Sequence, residues 1–178
     1  MASTSTSKQA MLVDRPLHSF ARIGTSACLS SSTNLNSIAG TGCTLIVDCS
    51  ANDGAVLDSM TVIENQANVT ASRICVFIST AVSASLISDL NTAYVTGVTI
   101  NGSGTLGTRT NIPLPPLSVP VPCLASPAAT VSAYPDEVEK KNTGLYVPSG
   151  ALLYVGTDVA LTNPAGTQLT VFAQGGFF

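Results

Sequence analysis

The sequence predicts an all-β sandwich with little helix and a proline-rich extended arm. Two observations predict it. Short apolar and β-branched runs recur along the 178 residues, separated by Gly, Asn, Asp and Ser. Their spacing of roughly 8–12 residues is the rhythm of a sandwich or barrel. Six of the ten prolines fall between Pro113 and Pro127, and proline has no N–H to give a central ladder. The length suits one domain, which buries roughly 70% of its unfolded surface without a metal or disulfide staple.

In chain order, residues 1–10 are a Ser/Thr-rich, flexible lead-in, and residues 11–178 form the single domain. Strands are expected over His18–Cys28, Cys43–Cys49, Met60–Asn65, Arg73–Thr80, Ala93–Ile100, Leu145–Val147, Ala151–Thr157 and Leu169–Gln174. In the last, Leu169, Val171 and Ala173 share one face, with Thr170, Phe172 and Gln174 on the other. Met60, Val62 and Glu64 share a face less cleanly. Ile74-Cys-Val-Phe-Ile78 is apolar throughout, so it should be covered on both faces. Ser83–Leu90 places Leu86, Ile87 and Leu90 at helical spacing, but it is short and lacks a clean cap, and it equally suits a loop.

The proline arm interleaves Pro113, Pro115, Pro116, Pro120, Pro122 and Pro127 with Leu114, Leu117, Val119, Val121 and Leu124. A solvated linker would be Ser/Gly-rich or charged. This apolar content calls for a surface, either the arm's own sandwich or a neighbouring subunit; the alternative is a long loop within the domain. Phe177 and Phe178 end the chain on aromatic bulk that is costly to expose. Gly175-Gly-Phe-Phe178 has little evident ladder capacity. Pro113, Pro115, Pro116, Leu117, Val119, Val121, Phe177 and Phe178 are therefore the candidate interface residues.

Charge narrows the function. Only 10% of residues are charged, where about 25% is usual, and the net charge is −3. With 21 Ser and 21 Thr, the surface is polar without being ionic, which suggests that a partner covers much of it. The sole basic doublet, Lys140-Lys141, lies beside Asp136, Glu137 and Glu139, so no basic patch offers counterion release from nucleic acid. No apolar run approaches the 18 or so residues of a membrane span. Ala10-Met-Leu-Val13 runs at once into Asp14-Arg15, too short for a secretory leader. A cytoplasmic chain is expected, and the five cysteines, without a CxxC, are expected to be reduced and buried.

No catalytic constellation is legible. His18 is the one histidine and sits in a strand-like context, so a structural or surface role is favoured. Asp48, Asp53 and Asp58 recur at five-residue steps around Asn52-Asp-Gly54. That pattern suits a calcium cradle, but turn chemistry explains it as well. Gly102-Ser-Gly-Thr-Leu-Gly107 imitates a dinucleotide fingerprint, yet it leads into the proline arm rather than a helix and reads as a hairpin loop. Asn68-Val-Thr70 spells a glycosylation sequon without a secretory context. Nine aromatics with no tryptophan make a poor stacking platform; Tyr94, Tyr134, Tyr146 and Tyr154 are its candidates. No enzyme, metal or cofactor is expected.

The last third carries a resemblance. Ala125-Ser-Pro-Ala-Ala-Thr-Val131, Gly144-Leu-Tyr-Val-Pro-Ser-Gly150, Leu152-Leu-Tyr-Val-Gly-Thr157 and Ala173-Gln-Gly-Gly-Phe-Phe178 resemble a family of small tailed-phage structural proteins, the capsid decoration or cement proteins. Upstream, Leu57-Asp-Ser-Met-Thr-Val-Ile63 and Arg73-Ile-Cys-Val-Phe-Ile78 are similar to the family's upstream strand and the apolar strand that follows it. The proline-rich insert is longer here, and Phe177 stands where the family usually has an acidic residue. The resemblance implies a jelly roll bound outside an icosahedral head, commonly as a trimer. Its partner would be the major capsid protein, its place the virion surface after assembly in the host cytoplasm, with no direct contact to nucleic acid or membrane. The competing expectation is a carbohydrate- or receptor-binding β-sandwich of a phage tail or spike, against which stands the absence of tryptophan. A self-assembling shell subunit ranks lower because no basic arm supports it.

Overall fold

The computed structural model describes residues 15–31, 33–114, 144–161 and 168–178. In chain order its strands are β1 (Arg15–Arg22), β2 (Thr44–Asp48), β3 (Gly54–Glu64), β4 (Ser72–Ser79), β5 (Thr92–Ile100), β6 (Arg109–Ile112), β7 (Leu145–Pro148), β8 (Leu152–Thr157) and β9 (Leu169–Phe177). They form two antiparallel sheets, and the protein is an all-β sandwich. Sheet A runs β1-β9-β3, and the far edge of β3 is shared by β6, against Met60–Ile63, and β7, against Gly54–Leu57. Sheet B runs β2-β8-β4-β5.

The pairing is nested. β1 pairs β9, β2 pairs β8, β3 pairs β7 and β4 pairs β5. The chain behaves as one long hairpin, folded over so that β9 also lies on β3 and β8 on β4. Residues 115–143, which hold the proline arm from Pro115 to Pro127, fall between β6 and β7, the two halves of one sheet edge, and lie outside the described residues. An edge is where a ladder tolerates interruption by proline.

Between the sheets, Leu57, Met60, Val62, Ile74, Val76, Leu153, Val155, Leu169 and Val171 form the centre of the main core. Each such side chain contributes about 1.5–3 kcal/mol relative to exposure. A second core, built on Cys28, Leu29, Cys43, Cys75, Phe77, Ile87, Leu152 and Tyr154, covers the outer side of sheet B. The loops before β2 and after β4 supply its roof. β4 is thus buried on both faces, as its unbroken apolar run predicts. Tyr154 needs a partner at that depth and donates to the Ala81 carbonyl at 3.0 Å.

Several boundaries differ from expectation, each for a physical reason. β1 starts at Arg15 and ends at Arg22, because beyond Ile23 the chain leaves sheet A to place Cys28 and Leu29 in the second core; Ala27 and Leu29 make only isolated bridges. β3 begins at Gly54 rather than Met60. A bulge between Leu57 and Ser59 changes the inward phase from Ala55 and Leu57 to Met60, Val62 and Glu64, which hides the strand from an alternation test. β6 was not expected. The loop at residues 101–108 is no hairpin but a crossover, since β5 and β6 belong to different sheets. Ser83–Leu90 forms one 3-10 turn, Ala84–Leu86, within a loop.

Candidate interaction surface

The C-terminal segment, expected to have little ladder capacity, is strand. β9 continues through Gly175 and Gly176 to Phe177, paired with Arg15–Leu17 on one side and Ala55–Leu57 on the other. Glycines there let β9 lie between two strands at close approach: a Cβ on Gly175 would collide with the Val56 carbonyl oxygen. The Arg15 guanidinium sits 5.4 Å above the Phe177 ring and also donates to Asn52 Oδ1. Phe178 donates its N–H to the Gly54 carbonyl at 3.1 Å and brings its ring within 6.2 Å of Tyr146. Both phenylalanines are half-buried against their own chain. Pro113 is exposed, and its carbonyl accepts from Thr96 Oγ1 at 2.6 Å, while Leu114 leans on the main core. Pro115, Pro116, Leu117, Val119 and Val121 lie outside the described residues.

The outer face of sheet A is where the register gathers side chains that are distant in sequence. One cross-strand row reads Arg22, Thr170, Ile63 and Arg109; the next reads Phe20, Phe172, Thr61 and Asn111; a third reads His18, Gln174 and Ser59. Phe20 and Phe172 are 60% and 40% exposed, with ring centroids 6.0 Å apart. Thr61 donates to Asn111 and Ser59 to Gln174. No ion pair engages Arg22 or Arg109 among the described residues. Composition offered no aromatic cluster; pairing across β1 and β9 makes one. His18 is an exposed member of this face.

Elsewhere the polar groups serve the fold. A cavity of about 610 Å³ opens beside the β4–β5 loop, lined by Ile78, Ser79, Asp89, Leu90, Asn91 and Thr92, among others. Two of its polar side chains are turned to the loop: Ser79 Oγ donates to the Asn91 carbonyl and accepts from the Ala81 N–H, and Asn91 Oδ1 accepts from Ser88 N–H. Asp48 accepts from the Ser50 N–H at 2.8 Å, and hydrogen bonds from Ser50 hold its carboxyl below the usual range. Asp53 and Asp58 are exposed. The described residues contain no group of three or more His, Cys, Asp or Glu side chains arranged to hold a metal ion.

The cysteines are less dispersed than the sequence suggests. Cys28, Cys43, Cys49 and Cys75 are free and buried, and three of them meet in the second core. Hydrogen bonds with Cys43 and then Cys75, together with burial, raise the Cys28 thiol far above its ordinary range. Burial pushes Cys49 up to about 11. At these positions the thiolate, which is the reactive form, is suppressed. Glu64 is a buried carboxylate that sequence reading placed only as an imperfect strand position. It is 3% exposed, its Oε2 has no hydrogen-bond partner, and burial raises its pKa.

No protein-family model, curated protein or solved structure matches the chain.

Proposed function

We propose that this chain is a structural virion protein, a decoration or cement subunit bound to the outer surface of a phage head. The observation that carries the reading is the nested pairing of β1 with β9, β2 with β8, β3 with β7 and β4 with β5. Counting β6 and β7 as one split strand, this order supports reading the sandwich as an eight-stranded jelly roll, an architecture of viral capsid domains, lectins and cupins. Fold alone does not assign function, so the surface chooses among these. In the cavity beside the β4–β5 loop, Ser79 and Asn91 spend their hydrogen bonds on the loop itself, which leaves less to orient a sugar or small substrate. The outer face of sheet A instead carries a pair of exposed phenylalanines, suited to packing on protein. Of the segments that resemble cement proteins, Gly144–Gly150, Leu152–Thr157 and Ala173–Phe178 fall on or beside β7, β8 and β9, and Leu57–Ile63 and Arg73–Ile78 fall on β3 and β4, while Ala125–Val131 lies outside the described residues.

In this reading the partner is the major capsid protein, the subunit is a homotrimer on the lattice, and the virion surface is its location. The test is a cryo-electron microscopy reconstruction of heads incubated with the purified chain. Density at regular lattice positions on the outer shell is the expected result. Density confined to the tail, or bare heads at saturating protein, overturns it.

A further inference from the structure

We infer that the outer face of sheet A docks on an acidic protein surface, with Phe20 and Phe172 as its apolar centre and Arg22 and Arg109 as its charged row. Identifying that surface with the head shell rests on the decoration reading; the chemistry of the face does not. The chain is acidic overall, at −3, and two of its four described arginines stand on this face; Arg15 opens β1 at the other end and Arg73 lies on β4. Arg22 and Arg109 stand on one cross-strand row of sheet A, three strand spacings apart, or about 14 Å. Beside them lies the phenylalanine pair, and beyond that His18. Five of the six described acids lie elsewhere, and Asp58 stands at the margin of the face. Asp48 and Asp53 flank the β2–β3 loop, Asp89 is in the β4–β5 loop, Asp158 follows β8, Glu64 points inward, and Asp58 occupies the bulge beyond the row that carries His18.

The result is an electropositive, aromatic-centred face on an anionic domain. Arginine and aromatic side chains are the groups that dominate protein interfaces, and a charge row around an apolar centre steers a complementary surface into register. Two copies laid face to face would present the same positive row to each other, which disfavours self-pairing here. Nucleic acid is a poorer fit: its binding grows with the number of phosphates neutralised, and this face offers two guanidiniums.

Two measurements test the proposal. On a poly-L-glutamate column at low ionic strength, wild type should be retained and salt should elute it, while the R22E/R109E variant should pass through. All four positions to be changed are solvent-exposed, so folding is checked simply by an unchanged circular-dichroism spectrum. On heads stripped of this chain, R22E/R109E and F20T/F172T should each lose about tenfold in affinity. The control L106S, at an exposed crossover loop site, should bind as wild type does. Wild type that flows through polyglutamate overturns the face. So does wild-type head binding that survives both double variants, or single-stranded DNA that binds wild type more tightly than polyglutamate does. Retention on polyglutamate with no binding to heads supports the face and removes only the decoration reading.

Discussion

Replacing Glu64 with glutamine should stabilise the protein at neutral pH and do nothing in mild acid. Glu64 ends β3 on its inward face, beneath the crossover loop. Its main chain is tied to that loop by Glu64 N–H to the Thr108 carbonyl and Gly107 N–H to the Glu64 carbonyl. Gly104 rests directly over the carboxylate, where a Cβ would collide with Oε2. Oε2 is buried with no partner, and a buried unpaired acceptor costs about 1–3 kcal/mol, more when charged. Because Glu64 lies under a single loop at the end of a strand, the lower end applies, about 1 kcal/mol. Burial raises its pKa above the ordinary 4.5, so the folded chain binds more protons at this site than the unfolded one. Stability from Glu64 is therefore greatest below pH 4.5 and declines as pH rises through the folded-state value. Asp48 works in the opposite sense, but only as pH falls below its ordinary 3.8, outside this window. Urea titrations of wild type and Glu64→Gln between pH 4.5 and 7.5 read the effect directly. The variant's advantage should grow from near zero to about 1 kcal/mol, or roughly 2–4 °C in Tm for a domain of this size. Parallel pH profiles, or a variant less stable at pH 7, would refute the reasoning.

Three further outcomes follow from the packing. Gly175→Ala drives a methyl into the Val56 carbonyl between β9 and β3 and should cost about 1–3 kcal/mol in chemical denaturation, whereas Gly24→Ala meets nothing within 4 Å and should stay within about 0.5 kcal/mol of wild type. Tyr154→Phe leaves the Ala81 carbonyl without its 3.0 Å donor and should lower stability by about 1 kcal/mol in the same assay. Under native conditions Cys28, Cys43, Cys49 and Cys75 should resist alkylation, and intact mass after denaturation without reductant should show all five cysteines labelled; fewer than five labels means a disulfide.

The sequence by itself determined the class of fold, since period-2 runs and turn residues need only neighbouring positions to be read. The run from Ile74 to Ile78 even announced that β4 is covered twice, because an unbroken apolar strand has no face to give to water. Reading failed where partners are distant. The bulge at residue 58 exists only in the register of β3 with β9, so it cut the apparent strand in half. Gly175-Gly176 read as having little ladder capacity because glycine carries no strand preference, and only the squeeze between β1 and β3 makes it a requirement. The candidate surface was equally hidden. Phe20 and Phe172 stand 152 positions apart in the chain, and Arg22 and Arg109 fall on different strands of different halves. Composition could count these side chains, but antiparallel pairing alone puts them on one row and one face, because register is a property of two strands and not of either one.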